Sequence, residues 1–347
     1  MPTPLAERLR DRIRREGPIS FADFMEAALY DPEGGYYSRG APIGEGGDFV
    51  TSPAVSPAFA ATLAHLFARD AVSLAGDLVF IDVGAGEGRF LSDFARALER
   101  DAPGVAARTR LAAVERAPAA REKLAVAGFR VLRDVPATSV RGWVFANELY
   151  DALPVRRAIG AENGGLNELR VGLDGERFAW TEAPAPGDWN KFFSRSGVAL
   201  EPGQVAELRP AAGELHRELA RALERGRLVL FDYGHRARTL YHPLARRSGT
   251  LAVHSRGRRG GDPLDRPGEQ DLTAHVDWDE ILAIGDEEGL ASEGPTRQGR
   301  FLTRAGIFDF ASDEAAKWRI YRLVDPAGMG DEISVIVQSR AMEPLGF

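Results

Sequence analysis

The chain has 347 residues, of which 44% are hydrophobic, and 44 Lys and Arg residues against 51 Asp and Glu residues give a formal net charge of −7. This composition excludes a wholly disordered chain and is typical of a soluble globular protein. The length corresponds to about two domains, or to one large domain with insertions, and either could bury a large core. The negative charge argues against double-stranded nucleic acid as the main partner, because phosphate binding depends on an excess of Lys and Arg.

Cysteine is absent. Disulfides, thiolate zinc sites, iron–sulfur clusters and a cysteine nucleophile are therefore excluded, so catalysis must use oxygen and nitrogen groups. No apolar run approaches the roughly 20 residues of a transmembrane helix. The N-terminal segment contains Glu7, Asp11 and Glu16, whereas mitochondrial presequences are poor in acids. We therefore expect a cytoplasmic protein without a signal or transit peptide.

The N-terminal region predicts a helical cover. Apolar residues recur with helical spacing over residues 4–16, and a second helical pattern covers 19–29 after a Gly-Pro break. Residues 31–57 are rich in Gly, Pro and Ser but also contain aromatic residues, so we expect this long loop to fold over a site. Residues 1–75 are thus predicted to form a helical and Gly-rich cover.

Strands and helices then alternate along the chain. The predicted elements are a helix over 58–74, a strand over 78–82, a helix over 89–100, a strand over 110–115, a helix over 117–127, and strands over 130–134 and 142–148. Strands that alternate with helices indicate an α/β fold with a mostly parallel, doubly wound sheet and helices on both faces.

The regular alternation stops after the fourth strand. The later elements are a hairpin over 167–180 that turns at Asp174 and Gly175, a helix over 211–224, a strand over 227–234, a helix over 277–288, a segment over 300–310 and a last strand over 333–338. We therefore predict one α/β domain over 76–347 with two insertions, at about 160–210 and about 235–276. The insertions are expected to form a subdomain on the side where a substrate that accepts a transferred group would bind.

Three glycines, Gly84, Gly86 and Gly88, follow the first strand of this sheet. Without side chains they let a ligand approach the backbone, next to free N–H groups at the start of a helix. A dinucleotide fingerprint needs Gly or Ala at the position of Arg89, so an NAD or FAD oxidoreductase is disfavoured. The glycines instead resemble the first motif of class I S-adenosylmethionine-dependent methyltransferases.

Acidic residues follow the next two strands at the same predicted edge. Glu115 ends the second strand, with Arg116 beside it, and Asp134 ends the third. A carboxylate at the position of Glu115 can accept hydrogen bonds from both ribose hydroxyls of an adenosyl ligand. A residue at the position of Asp134 commonly contacts the adenine amino group. Because parallel strands end at the ligand-binding edge, Glu115, Arg116 and Asp134 are predicted to bind an adenosyl cofactor. Either acid taken singly is equally compatible with a solvated strand end.

The fourth strand ends in Asn147 and Glu148, with Asp151 three residues further on, in the stretch NELYDALP. This stretch resembles the signature of the MidA family of class I S-adenosylmethionine-dependent methyltransferases, which includes a mitochondrial complex I assembly factor described as a protein arginine methyltransferase. Further matches follow in the same order: GYY at 35–37, GDFVTSP at 47–53, DYG at 232–234, GEQDLTAHVDW at 268–278, FLTRAGI at 301–307 and MGDEISVI at 329–336.

The resemblance implies S-adenosylmethionine as cofactor, a protein substrate of the respiratory complex I type, and arginine as the acceptor. Glu148 and Asp151 are then the candidate catalytic residues, because carboxylates can hold a guanidinium group and accept its proton. Asp48, Thr51 and Ser52 would bind the amino-acid end of the cofactor, and Asn147 would also contact it. Non-catalytic roles of these two acids are equally open. Glu148 could instead contact the cofactor's amino group, and Asp151 could cap a turn.

Two other functions remain open, namely a non-catalytic cofactor-binding assembly or scaffold protein, and a methyltransferase that acts on a small molecule or RNA. His275 could act as a base, although a lone histidine is more often a structural hydrogen-bonding group. The other polar residues of its segment show no metal-like spacing, so no metal is predicted. We expect no nucleic acid partner and no membrane span, and homodimer formation stays open.

Overall fold

The computed structural model describes residues 3–40, 50–137, 140–255 and 258–346. The α-helices are Pro4–Glu16 (α1), Phe21–Tyr30 (α2), Ser52–Val55 (α3), Pro57–Ala71 (α4), Arg89–Asp101 (α5), Pro103–Ala106 (α6), Pro118–Val126 (α7), Asp188–Arg195 (α8), Pro210–Ala222 (α9), Ala237–Leu240 (α10), Trp278–Glu287 (α11), Gln298–Arg304 (α12), Glu314–Val324 (α13) and Met329–Glu332 (α14). Short 3-10 helices cover Tyr150–Ala152 and Ile307–Phe310.

The strands are Ile19–Ser20 (β1), Leu78–Val83 (β2), Thr109–Val114 (β3), Arg130–Leu132 (β4), Val140–Asn147 (β5), Arg156–Gly160 (β6), Leu166–Asp174 (β7), Arg177–Pro184 (β8), Val205–Leu208 (β9), Leu223–His235 (β10), Ala252–Ser255 (β11), Arg258–Arg259 (β12), Asp271–Thr273 (β13), Val276–Asp277 (β14), Ala291–Arg297 (β15) and Ile333–Arg340 (β16). Among the described residues, no helix has the length and apolar character needed to cross a lipid bilayer.

The chain divides into two compact units. Unit 1 comprises Met1–Pro42, Tyr150–Gly213 and Gly234–Glu280, and unit 2 comprises Ile43–Leu149, Glu214–Tyr233 and Ile281–Phe347. The division of the sequence into a cover over 1–75 and a domain over 76–347 stays a prediction.

Unit 2 contains a twisted sheet with the strand order β15-β16-β10-β5-β2-β3-β4. The five strands from β10 to β4 are mutually parallel, whereas β16 runs antiparallel to both β10 and β15. The structure therefore confirms the predicted α/β fold with a mostly parallel sheet. It adds β15, a polar edge strand that contains Gly294 and Pro295 and that the hydrophobic pattern does not predict.

Aromatic side chains fill the core on one face of this sheet. Phe59 of α4 makes edge-to-face contact with Phe231 of β10, at 5.1 Å between ring centroids, and Phe94 of α5 lies 4.0 Å from Phe80 of β2. These rings are completely buried. On the other face, Gln338 of β16 hydrogen-bonds to α9 and α11. Helices thus cover both faces and fix the sheet whose carboxyl edge carries the candidate site.

Unit 1 is built around a second sheet with the order β1-β7-β6-β9, in which β8 also pairs with β7. The β7–β8 pair confirms the predicted hairpin, with Gly175 in its turn. The predicted helix over 19–29 begins at Phe21 instead, because residues 19–20 pair with β7 and the Ser20 side chain caps the helix. The second insertion, for which the sequence predicts no strands, contains the small sheet β12-β11-β13.

Candidate functional site

The sheet order of unit 2 creates a crevice at one edge. β3 and β5 pair with opposite sides of β2, so the segments that leave the carboxyl ends of β2 and β5 diverge. Such a reversal of strand order is where open α/β sheets bind ligands. The residues that follow β2, β3 and β5 therefore form the candidate site.

The loop after β2 is shaped by its glycines. Gly84 and Gly86 both have left-handed backbone conformations, with φ of +73° and +53°. A side chain on Gly84 would meet Leu149 at 2.8 Å, whereas one on Gly86 would meet no described atom within 4 Å. Gly88 caps the start of α5. The loop thus packs tightly against the end of β5 at Gly84 and leaves its backbone open at Gly86, where a ligand could approach.

Glu115 follows β3 and its carboxylate connects two segments of this edge. One oxygen accepts the N–H of Gly86 at 2.8 Å, and the other accepts the N–H of Ala117 at 2.7 Å. Burial raises the pKa of Glu115, while these backbone hydrogen bonds act in the opposite direction. The carboxylate therefore orders the glycine loop and still has lone pairs that could accept further hydrogen bonds.

Asp82, the fifth residue of β2, is an acidic group of the site that the motif analysis did not select. It is 3% exposed, and its Oδ2 atom has no hydrogen-bond partner among the described residues. Burial, with a further contribution from the negative charge of Glu115, raises the pKa of Asp82 to about 8. A buried acid directly before a glycine loop was the available sequence signal.

The free energy of unfolding should decrease as pH rises from about 4 to about 8, because the folded state keeps the Asp82 proton that the unfolded chain loses near its ordinary pKa of 3.8. We expect Asp82→Asn to remove this contribution, which is at most about 1.4 kcal/mol per pH unit. Urea unfolding at pH 5 and pH 7 tests this, with the exposed Asp134→Asn as control. An unchanged pH dependence in Asp82→Asn would contradict it.

Glu148 follows β5 in a conformation that non-glycine residues seldom adopt, with φ of +49°. Its N–H donates to the carbonyl of Phe231 at 2.8 Å. Its Oε1 atom accepts the N–H of Ser52 at 2.9 Å and the Nδ2–H of Asn147 at 3.0 Å. Strained residues that are held by several contacts cluster at functional sites. The Glu148 carboxylate is therefore fixed in orientation at the crevice.

Two further polar residues hold this arrangement, and the motif analysis assigned them no role. Asp232, near the end of β10, accepts the N–H of Leu149 at 3.0 Å. Gln298 accepts the hydroxyl of Ser52 at 2.9 Å and donates to the carbonyl of Leu323 at 3.1 Å. Asp232 and Gln298 are almost fully buried, so they position Ser52 and the segment after β5 rather than meet solvent.

The other residues that were predicted to bind the cofactor differ in burial and in their hydrogen bonds. Asn147 is half-buried, and its Oδ1 atom has no partner in the part of the chain that the structure describes. Thr51 caps α3 through its backbone. Arg116 and Asp134 are exposed after β3 and β4. Asp48 lies outside the described residues.

Asp151 belongs to unit 1, whereas Glu148 belongs to unit 2. It lies on the 3-10 helix after β5, is 7% exposed, and its carbonyl accepts hydrogen bonds from Arg209 and Ala274. In the same unit, the Tyr37 hydroxyl donates to Asp271 at 2.8 Å. Burial, together with the charges of Asp271 and Asp151, raises the pKa of Tyr37 well above its usual value. No group of three or more metal-ligating side chains occurs in residues 3–40, 50–137, 140–255 and 258–346.

Comparisons with known proteins show which family the chain resembles. The family model for S-adenosyl-L-methionine-dependent methyltransferases matches residues 59–296. The mitochondrial protein arginine methyltransferase NDUFAF7 of Bos taurus is 26% identical over 96% of this chain and 83% of its own length. The Mus musculus protein of the same name is 27% identical over 95% of this chain and 83% of its own.

A crystal structure from Burkholderia thailandensis, solved with S-adenosylhomocysteine bound, superimposes with a TM-score of 0.89. It is 33% identical, and the match covers 99% of this chain and 96% of that one. S-adenosylmethionine is accordingly the cofactor of the present chain. The chain belongs to the family of S-adenosyl-L-methionine-dependent methyltransferases.

Proposed function

We propose that the protein transfers the methyl group of S-adenosylmethionine to an arginine side chain of a protein substrate. The observation that carries this proposal is the Glu148 carboxylate, which is fixed by Ser52 and Asn147 at the end of β5. The protein arginine methyltransferases that align with almost the whole chain support it. The respiratory complex I type of target stays a prediction from the family resemblance.

The described residues fit an adenosyl cofactor at the crevice of unit 2. Gly86 leaves open space beside its backbone, and Glu115 has lone pairs available for the two ribose hydroxyls. Asp134 and Arg116 would lie toward the adenine. Asn147 and Thr51 would bind the amino-acid end of the cofactor, with Gly84 and Gly88 shaping the loop. Ser52 is completely buried and bonded to Glu148 and Gln298, so it would act by positioning Glu148. The role of Asp48 stays a prediction from the sequence. When bound, the cofactor supplies a methyl group on a positively charged sulfur.

The protein's part in such a reaction is to orient the acceptor and remove its proton. A carbon–nitrogen bond to the arginine forms as the carbon–sulfur bond breaks, and the nitrogen then loses a proton. Glu148 would hold the guanidinium group through charge-assisted hydrogen bonds and accept that proton. A catalytic role of Asp151 stays a prediction from the family resemblance. Exclusion of water and alignment of the two reactants supply the rest of the acceleration.

The test is the fate of a radiolabelled methyl group. Extract from cells that lack the gene is incubated with the purified protein and labelled S-adenosylmethionine, and the label is measured in protein, RNA and small-molecule fractions. We expect label in protein with the wild-type chain and almost none with Glu148→Gln. Label that enters RNA or small molecules, and not protein, would refute the proposal.

A further inference from the structure

Four basic side chains of unit 1 form a cluster: His235, Arg246, Arg259 and His275, called here the basic cluster. Nη2 of Arg246 lies 2.5 Å from Nε2 of His235, and the rings of His235 and His275 are 5.2 Å apart between centroids. Arg259 is exposed on β12. Neither the proposed cofactor residues nor the proposed acceptor residues belong to this cluster.

The backbone holds the cluster in place. Gly234 and His235 pair in parallel with Val276 and Asp277, which brings His275 beside the end of β10. The N–H of His275 donates to the hydroxyl of Thr250 at 3.0 Å, and its carbonyl accepts from Arg209 at 3.2 Å. The backbone of His275 is therefore fixed beside the end of β10.

The cluster is strongly electropositive. Burial lowers the pKa of His275 to about 3, and the charged groups that add most to this effect are all basic: His235, Arg246, Arg259 and Arg209. Burial, followed by the charge of Arg259, also lowers the pKa of Arg246. The guanidinium groups of Arg246 and Arg259 repel each other, and an anion bound beside Arg246 would relieve that repulsion.

Three acids of neighbouring segments have hydrogen-bond partners of their own. Asp277 is the register partner of His235, and its Oδ1 atom accepts the N–H of Asp279 at 2.9 Å, while its Oδ2 atom has no hydrogen-bond partner among the described residues. Asp279 accepts the N–H of Ala237 and pairs with Arg236. Asp271 is the register partner of His254 and accepts the Tyr37 hydroxyl. These carboxylates are therefore oriented by local partners.

We propose that the basic cluster binds an acidic side chain of the protein substrate. This inference rests on the proposed function and names its substrate class. The guanidinium group of Arg246 has a planar set of donors that matches a carboxylate, and each neutral histidine has one ring N–H that can donate.

Histidine NMR tests this binding without any turnover. The chain has only six histidines, so their ring signals can be resolved and assigned with single His→Gln variants. The protein, with S-adenosylhomocysteine present, is titrated with a hexaglutamate peptide and, separately, with inorganic phosphate. We expect the peptide to shift the His235 and His275 ring signals and to raise the pKa of His275, because a nearby negative charge favours the protonated ring.

Variants identify the site. Arg246→Ala should weaken peptide binding at least about tenfold, since charge-assisted hydrogen bonds are lost. Arg259→Ala alters an exposed residue and should also weaken binding while the fold is kept. The matched control is Arg247→Ala, because Arg247 is exposed and donates to the carbonyl of Pro202. That control should bind the peptide like the wild type.

Three outcomes would overturn the inference. These are unchanged His235 and His275 signals, equal peptide affinity in Arg246→Ala, Arg259→Ala and Arg247→Ala, and a response to phosphate without a response to the peptide. The last outcome would assign the cluster to phosphate-bearing ligands. Failure of the proposed function would look different from failure of this inference. Peptide binding would persist, but labelled methyl groups would not enter protein.

Discussion

Replacement of Glu115 by alanine should weaken the binding of S-adenosylhomocysteine by at least about tenfold. Two hydrogen bonds from ribose hydroxyls to a charged acceptor contribute about 1.5–3 kcal/mol each before water compensates for part of the loss. The variant also removes the acceptor of the Gly86 N–H, so the glycine loop loses part of its order. Isothermal titration calorimetry on wild-type and variant protein measures both the affinity and the enthalpy.

Two further variants define what Glu115 contributes. Glu115→Gln keeps one carbonyl oxygen as acceptor and should bind with intermediate affinity, whereas Glu122→Ala, an exposed acid on α7, should bind like the wild type. Thermal unfolding curves show whether each variant remains folded. Wild-type affinity in a folded Glu115→Ala protein would refute the placement of the ribose at this carboxylate.

Glu148→Gln should lower kcat by at least about 100-fold, which is within the usual contribution of a general base. The amide keeps an oxygen that can accept the N–H groups of Ser52 and Asn147, so the local structure should survive. It can neither neutralise a guanidinium group nor take up its proton. Cofactor affinity should therefore stay within about twofold of the wild type while turnover is lost.

This split between binding and turnover distinguishes two roles of Glu148. If the carboxylate instead contacts the amino group of the cofactor, Glu148→Gln will weaken cofactor binding and turnover together. Glu224→Gln, which changes an exposed acid at the start of β10, is the matched control and should leave both unchanged. Turnover of Glu148→Gln at the wild-type rate would remove Glu148 from the acceptor chemistry.

The sheet of unit 2 was predictable because its strands are apolar and its helices follow them directly. β15 could not be predicted, because its sequence, ASEGPTR, has no alternation of apolar and polar residues. It contains Gly and Pro, which an edge strand can tolerate. The small sheet of the second insertion depends on Val253 pairing with Leu272, 19 residues later. Such a contact is fixed by tertiary structure, whereas sequence periodicity reports only local neighbours.

The candidate site shows the same limit. Gly84, Gly86 and Glu115 can be selected from local motifs, because each lies directly after a strand. The roles of Asp232 and Gln298 depend on partners that are 83 and 246 residues away in the chain. The left-handed conformation of Glu148 is also set by these distant contacts, so the sequence pattern identified the residue but not its strained geometry.

The proposal of an arginine acceptor in a protein is checked by identifying the methylated residue. Protein labelled by the wild-type enzyme is hydrolysed to amino acids, and the labelled products are separated and compared with methylarginine standards. We expect the label to be recovered as methylarginine and to disappear with Glu148→Gln. Label recovered in another amino acid, with none in methylarginine, would refute an arginine acceptor.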